Sequence, residues 1–396
     1  MTEEFSLVRT LDDISPDCWD ALAHGHPLLR HAFLDALHRT GCASAETGWD
    51  PHYLVLRRNQ ALCGAMPMYV KYHSRGEYVF DHAWARAFTQ HGLAYYPKLL
   101  SAVPFTPVPG PRLLAHTHED RVRLARAAIA LAARNTLSSL HILFPEEADQ
   151  AALREAGFMF RETVQFHWHN KNYRDLDDFL TSLNQEKRKK IRQDTKKVRA
   201  AGISYRWLHG NAIESGDLDF FYTCYVQTYL EHGNPPYLTA DFFRQLHAHM
   251  RDNLLLVMAV RGNKPVACAL NIVGDERLYG RYWGSTEFIP GLHFETCYIQ
   301  AIAWCIEHNI KVFEGGAQGE HKLSRGMLPV KTWSAHWVSD PRFAHAIADF
   351  VDNETRAVDD YAEALVNHSP FKKHLIIFLF PGRLYSDLEQ TGMLKK

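Results

Sequence analysis

RLYGRYWGS (Arg277–Ser285), EFIPGLHFETCYIQAIAWCIEHN (Glu287–Asn309) and IKVFEGGAQGEHKLSRGMLP (Ile310–Pro329) follow one another almost without interruption. They read as a strand, a turn, a helix, a second strand and a polar glycine-rich loop. In the first strand, strict alternation puts Tyr279, Arg281 and Trp283 on one face and Leu278, Gly280, Tyr282 and Gly284 on the other. Two glycines inside one strand imply that a backbone or a ligand comes close there, because a Cβ would stand in its way. From Leu292 onward, Phe294, Cys297, Tyr298, Ala301, Trp304 and Cys305 recur at helical spacing. A parallel-type strand, Lys311–Phe313, then ends on Glu314, and Gly315, Gly316, Ala317, Gln318, Gly319, Glu320, His321 and Lys322 follow. In an open α/β sheet ligands gather beyond the carboxyl ends of strands, so this loop is the first place to look for a site.

With 396 residues, 46% of them hydrophobic, the chain can fill two cores. Lys plus Arg number 44 and Asp plus Glu 45, so the surface as a whole has no reason to bind nucleic acid or an anionic membrane. Any such contact has to come from a local patch. MTEEFSLVRT lacks an apolar core segment, so no secretory signal is expected, and LIIFLF (Leu375–Phe380) is too short to span a bilayer. Seven cysteines without a CxxC pair argue for reduced thiols and a cytoplasmic setting.

The two halves echo each other. YLVLRRNQALCGAMPMYVK (Tyr53–Lys71) and LLLVMAVRGNKPVACALNIV (Leu254–Val273) both read as hairpins, and AARNTLSSLHILF resembles IEHNIKVFEGG in passing from a helix into a strand. On this reading HSRGEYVFDHAW (His73–Trp84) is the first-half counterpart of RLYGRYWG. Two copies of one α/β unit with mixed sheets follow, one over residues 1–165 and one over 166–396 that includes a basic helix at 183–201. In that helix eight basic residues fall between Lys187 and Arg199, and Ile191 and Val198 belong to a thin apolar stripe. It is either a solvated helix on the domain seam or a patch for phosphates.

P-loop, dinucleotide-binding, zincin and nucleophile-elbow motifs are all absent. His293 with Glu295, and Glu320 with His321, could be drawn as metal ligands, but at a helix start residues two apart diverge by about 200° and adjacent ones also point apart. No metal is therefore expected. Glu314, at the end of an apolar strand, is placed to be partly desolvated, which raises a carboxyl pKa and suits a general base. The other reading is a structural ion pair with Arg281, Lys322 or Arg325. Acyl transfer to an amine needs such a base, donors for a developing oxyanion and a proton source for the leaving group. Gln318 and backbone N–H groups of the glycine loop fit the second need, Tyr282 and His321 the third. His73, Glu77, Tyr78 and Asp81 line an acceptor cleft or merely satisfy their own segment. Arg281, Trp283, His293, Glu295, Glu320, Lys322 and Arg325 complete the candidate substrate-binding set.

TGWDPHYLV, YVKYHSRGEYVFDHAWA, PFTPVPGPRLL, QFHWHNKNY, KRKKIRQD, LYGRYWG, LHFETCYIQ and FEGGAQGEHKLSRGMLP together resemble the FemAB-like family of bacterial proteins, which carries the label of peptidoglycan biosynthesis or recognition and sits within the GNAT acyltransferase superfamily. The resemblance covers roughly residues 5–370. It implies tandem GNAT-like domains and transfer of an acyl or aminoacyl group to an amine, with no tightly bound cofactor. The implied donor is an acyl-CoA as co-substrate or, less favoured, an aminoacyl-tRNA; the implied acceptor is a small molecule or cell-wall precursor. The RxxGxG/A pyrophosphate loop of CoA-binding relatives is not present in standard form, so Arg112 in PGPRLL is its nearest substitute, with Lys187 and Arg188 of the basic helix as further phosphate contacts.

Overall fold

The computed structural model describes residues 3–316 and 319–372. Gln318 and the apolar segment Leu375–Phe380 lie outside the described residues. The first half runs β1 (Glu3–Val8), α1 (Pro16–Leu22), α2 (His31–Arg39), β2 (Trp49–Pro51), β3 (Tyr53–Arg58), β4 (Ala61–Met66), β5 (Tyr69–Lys71), α3 (His82–Gln90), β6 (Lys98–Ser101), β7 (Leu114–Ala115), α4 (His118–Arg134), β8 (Ser139–Leu143), α5 (Glu147–Glu155) and β9 (Met159–His169). After α6 (Leu176–Ser182) and α7 (Gln185–Ala200), the second half runs β10 (Ile203–His209), α8 (Ser215–Glu231), α9 (Ala240–Met250), β11 (Leu254–Arg261), β12 (Lys264–Val273), β13 (Arg277–Ser285), α10 (Leu292–Phe294), α11 (Gln300–Glu307), β14 (Val312–Glu314), β15 (Leu328–Val338) and α12 (Pro341–Asn367).

The echo between the halves is present in the topology. Each has a strand, two helices, a three-strand antiparallel meander, a helix and a strand: β1, α1, α2, β3, β4, β7, α4, β8 in the first, and β10, α8, α9, β11, β12, β13, the α10–α11 run and β14 in the second. Local chemistry fixes the turns. Asn59 and Gln60, both at positive φ, close the β3–β4 hairpin, and Gly262 (φ +59°) closes the one between β11 and β12. Both helix-to-strand passages turn on one left-handed residue, Thr136 after α4 and Asn309 after α11. One expectation fails: no strand forms over His73–Trp84, which holds turns and the start of α3. The counterpart of β13 is the short β7, and β5, α3 and β6 are an insertion ahead of it. The segment 73–84 turns at two positive-φ residues, Gly76 (φ +79°) and Tyr78 (φ +62°), which a strand cannot accommodate.

Eleven strands form one sheet, in the order β10-β11-β12-β13-β14-β9-β15-β8-β6-β5-β2, and four form a second, β1-β3-β4-β7. The long sheet runs through both halves because each half sends its last strand across. β9 follows the first half yet pairs with β14, and β15 follows the second yet pairs with β8; the two pair with each other from Leu328↔His167 to His336↔Met159. One core mixes side chains of both halves, with Phe33 edge-on to Phe242 at 5.7 Å.

The second glycine of β13 has its reason here. A Cβ on Gly284 would overlap the Cys224 carbonyl of α8, whereas one on Gly216, in the first turn of α8, meets nothing within 4 Å. Gly284→Ala is expected to lower stability by about 1–3 kcal/mol, and Gly216→Ala to leave it unchanged or slightly higher. Equal melting temperatures for the two variants would contradict this packing.

Candidate functional site

β13 and β14 lie parallel for only three residue pairs, Arg277↔Val312, Leu278↔Phe313 and Tyr279↔Glu314. Beyond them the strands part. β12 and β13 shift register between Leu270 and Asn271, which pair with Tyr282 and Gly280, so Arg281 is the extra residue of a bulge. The bulge corrects the alternation read from sequence. Tyr279 and Tyr282 both pack towards the core shared by the two halves, whereas Leu278 and Trp283 pack towards the core under α11. While β13 continues along β12, the chain after Glu314 leaves as Gly315-Gly316, and the sheet opens between them.

Two cavities occupy the opening, one on each face. The larger, about 330 Å³, lies towards α8 and the first half and is lined by Tyr78, Tyr225, Thr228, Tyr229, Arg281 and Tyr282. The smaller, about 110 Å³, lies towards the α10–α11 run and is lined by Asn271, His293, Cys297, Tyr298 and Phe313. Gly280, Arg281, Tyr282, Trp283 and Gly315 border both. Between α10 and α11, Glu295–Ile299 forms a π-helical turn, the kind of irregularity that re-aims side chains at a site; His293, Cys297 and Tyr298 face the cavity around it.

The three candidate catalytic residues differ in placement. Tyr282 borders both cavities, with the Arg281 guanidinium 5.1 Å from its ring centroid. Glu314 is 3% exposed and lines neither cavity; it sits one residue before Gly315, on the face that carries Tyr279. Its Oε1 accepts from Arg277 at 2.8 Å, so the ion pair is with Arg277 rather than with Arg281, Lys322 or Arg325. Its Oε2 is buried without a hydrogen-bond partner among the described residues, 3.9 Å from His167 Nε2. Burial pushes the carboxyl up to about 7 against the opposing charges of Arg277 and Arg281, and burial likewise lowers His167 to about 3, leaving that ring neutral. His321 packs against Phe294 and Tyr298, with Nε2 3.4 Å from the Tyr298 hydroxyl, one side chain removed from the smaller cavity.

Of the candidate binding residues, Tyr78, Arg281, Trp283 and His293 come together at the cavities. Burial, then His321 and Lys322, lower His293 to about 4, so its ring is neutral. Lys322 lies beneath the glycine loop, its Nζ donating to Gly316 O at 2.7 Å. Arg325 pairs with Asp194 at 3.4 Å and covers the Phe294 ring. Glu295 turns away from His293 and accepts from Thr195 Oγ1 at 2.6 Å, while Glu320 accepts from the Tyr361 hydroxyl at 2.7 Å. Neither reaches the opening. Arg112 is fully buried, its guanidinium donating to the carbonyls of Leu143, Pro111 and Val108; it clasps the proline-rich loop and presents nothing to an external phosphate. Lys187 pairs with Glu186 at 3.0 Å, and Arg188 reaches the Thr181 carbonyl at 3.4 Å. α7 rests on Ile191 and Val198 as its stripe indicates, and its other lysines and arginines face solvent.

His73, Glu77 and Asp81 do not line the opening, but two of them aim Tyr78 at it. The buried Lys98 Nζ donates to Glu77 Oε2 at 2.8 Å, to Ser74 Oγ at 2.8 Å and to Asp81. Burial opposes the Lys98 charge, yet Glu77 and Asp81 outweigh it and hold its pKa above the ordinary value. Both carboxylates flanking Tyr78 are thus pinned inside the first half, and Tyr78 (φ +62°) projects towards Arg281 and Tyr282 of the second. His73 instead packs on Gly48, its Nε2 3.1 Å from the Thr47 carbonyl. Sequence reasoning missed Asn271, Tyr225, Tyr229, Cys297 and Tyr298. The bulge beside Asn271 and the π turn carrying Cys297 and Tyr298 leave no local composition signal, and Tyr225 and Tyr229 come in on α8, far off in sequence.

Over residues 10–373 the sequence matches the profile of a family described as peptidoglycan biosynthesis/recognition. No curated protein matches it in sequence. Among solved structures, that of FemX aligns with a TM-score of 0.54 at 11% identity, over 88% of this chain and 100% of that one. L-PGS from Bacillus licheniformis aligns at 0.52 and 10% identity over 87% and 97%. The C-terminal domain of a putative lysylphosphatidylglycerol synthetase from Agrobacterium fabrum aligns at 0.51 and 10% over 80% and 96%. At these identities the likeness is one of fold, and with the duplicated topology it gives a mixed α/β architecture of two like units.

Glu314 makes a pH-dependent prediction. Its folded pKa, about 7, lies above the ordinary value of 4.5, so between these pH values the folded chain holds a proton that the unfolded chain has released. Stability from this group is therefore greatest at the acid side and falls as pH rises through the window. Glu314→Gln removes the buried charge and keeps a polar contact for Arg277. Its melting temperature relative to the parent is expected to be higher at pH 8 than at pH 5, and a difference independent of pH would contradict the desolvated carboxylate.

Proposed function

Since the chain belongs to the FemAB-like family of peptidoglycan biosynthesis and recognition, we propose that it is a transferase that moves an acyl or aminoacyl group from an acyl-CoA or aminoacyl-tRNA to an amine, with a peptidoglycan precursor as the acceptor class. The observation that carries this reading is the opening between β13 and β14, reached from both faces of the sheet. Two substrates entering from opposite faces meet at Gly280 and Gly315, where no side chain separates them, and the entropic cost of bringing them together is met by binding.

In the reaction the amine nitrogen bonds to the carbonyl carbon, the C–O or C–S bond to the donor breaks, the amine loses a proton and the leaving group gains one. We assign the proton donor to Tyr282, which borders both cavities, and the base to Glu314, which sits one residue before Gly315 behind the cavity wall and takes the amine's proton by relay, its carboxyl near 7. Backbone N–H groups at Gly315 and Gly316 are candidate donors to the carbonyl oxygen. Tyr78 brings the first half into the acceptor side, so the site is composite.

A second reading, recognition without chemistry, draws on Glu314 being sealed from both cavities. Transfer assays with acyl-CoAs and charged tRNAs separate the two. Turnover is expected in the parent, rising with pH through about 7. A loss of roughly 10²–10⁴-fold is expected in Glu314→Gln and at least about tenfold in Tyr282→Phe, both folded. Parent-level turnover in Glu314→Gln would remove the base assignment, and specific precursor binding without consumption of any donor would favour recognition.

A further inference from the structure

The smaller cavity contains a polar side chain that the fold does not satisfy. Asn271 is 2% exposed and its Nδ2 has no hydrogen-bond partner among the described residues. It lies on β12 opposite Gly280, directly at the register shift, and its face of the sheet also carries Ala269 and Phe313. A buried amide whose N–H groups stay unpaired loses its hydration with no return, so packing alone would favour a leucine here. The surroundings are shaped around this amide. The β13 bulge and the Glu295–Ile299 π turn flank the cavity on two sides, and two glycines, Gly280 and Gly315, border both it and the larger cleft. A Cβ on Gly280 would stand 3.1 Å from Phe313 Cε2, and one on Gly315 would stand 2.6 Å from Met327 Cε.

The volume and chemistry limit what fits. About 110 Å³ accommodates a unit of a few heavy atoms, such as an amide or short acyl group. Among the described residues no carboxylate lines it, and the Asn271 amide offers it a hydrogen-bond donor. Such a lining suits an oxygen on which negative charge develops.

Building on the transferase reading, we infer that this cavity receives the carbonyl end of the transferred group and that the Asn271 side-chain amide donates a hydrogen bond to the carbonyl oxygen. As the amine's C–N bond forms, the carbonyl π electrons move onto that oxygen, where Asn271 holds them. They return as the C–O or C–S bond breaks and the leaving group takes a proton from Tyr282, the amine's proton having been relayed to Glu314 behind the cavity wall. Asn271 is then a catalytic residue whose Nδ2 has no partner to lose among the described residues.

The test compares the parent, Asn271→Leu and Asn271→Ser for melting temperature and for kcat and KM with aminoacyl-tRNA and acyl-CoA donors. Asn271→Leu is expected to melt at or above the parent temperature while kcat falls roughly 10²–10³-fold with little change in KM. Asn271→Ser, which keeps a small donor, is expected to recover part of that loss. Parent-level kcat in Asn271→Leu overturns the inference and leaves the transferase reading standing. A lowered melting temperature overturns it too, since the amide would then have a structural partner. A parent that binds and consumes neither donor overturns the transferase reading, and this inference with it.

Discussion

The antiparallel pairing of β9 with β15 is the constraint on which the rest of the molecule depends. Each strand belongs to one half by sequence and to the other by hydrogen bonding, so the β14-β9-β15-β8 order exists only when both halves are folded together. His167 shows the consequence at a single residue. It faces Glu314 across one side of β9 and Leu328 across the other, so the strand that ends at the opening is held in register by a residue of the first half. Sheet hydrogen bonds leave little freedom of register where both faces are buried. The position of Gly315 is thereby set to within the tolerance that close positioning of two substrates demands.

The two halves use the same fold differently. In the second, β13 and β14 part and leave cavities on both faces. The equivalent strands of the first half, β7 and β8, sit in separate sheets, and the chain itself fills the space between them. Gly110 bridges to Pro145, Gly110 N–H donates to the Phe144 carbonyl at 3.1 Å, and the Arg112 guanidinium ties Leu143 to the loop at Val108 and Pro111. Burial of Arg112 lowers its pKa to about 10, yet three carbonyl acceptors satisfy its donors. The first half thus keeps its own slot closed and contributes to the second slot through Tyr78 and through the Phe105 carbonyl, which accepts from Arg281 at 2.7 Å.

Buried charge does the positioning. Lys98 is wholly buried, and a buried ammonium is tolerable only when its donors are met. Glu77, Asp81 and Ser74 meet them, and all three belong to the segment whose tip carries Tyr78. Residues that look from sequence like cleft-lining acids are therefore anchors, and the aromatic between them is the one that reaches the cleft. Glu314 differs from them in its counter-charge. Glu77 and Asp81 share the wholly buried Lys98 ammonium, whereas the partner of Glu314 is the half-exposed Arg277, and burial raises its carboxyl to about 7.

Periodicity and turn chemistry determined the elements of this chain: the hairpins, the helix-to-strand passages, the basic helix from its Asn184 cap to Gly202, and the parallel strand ending on Glu314 are all local patterns. The duplication was legible for the same reason, because a repeated order of patterns needs no contact to be seen. The opening between β13 and β14 was legible only as a place, through its glycines and its strand-end carboxylate. Tertiary structure alone decided which side chains line it. One bulged residue at Arg281 reverses every face after it, a π turn re-aims Cys297 and Tyr298, and Asn271 becomes a cavity residue only because Gly280 lies opposite. The exchange of β9 and β15 was equally out of reach, since an antiparallel partner is chosen by global packing and two strands with the same alternation pair as readily within a half as across it.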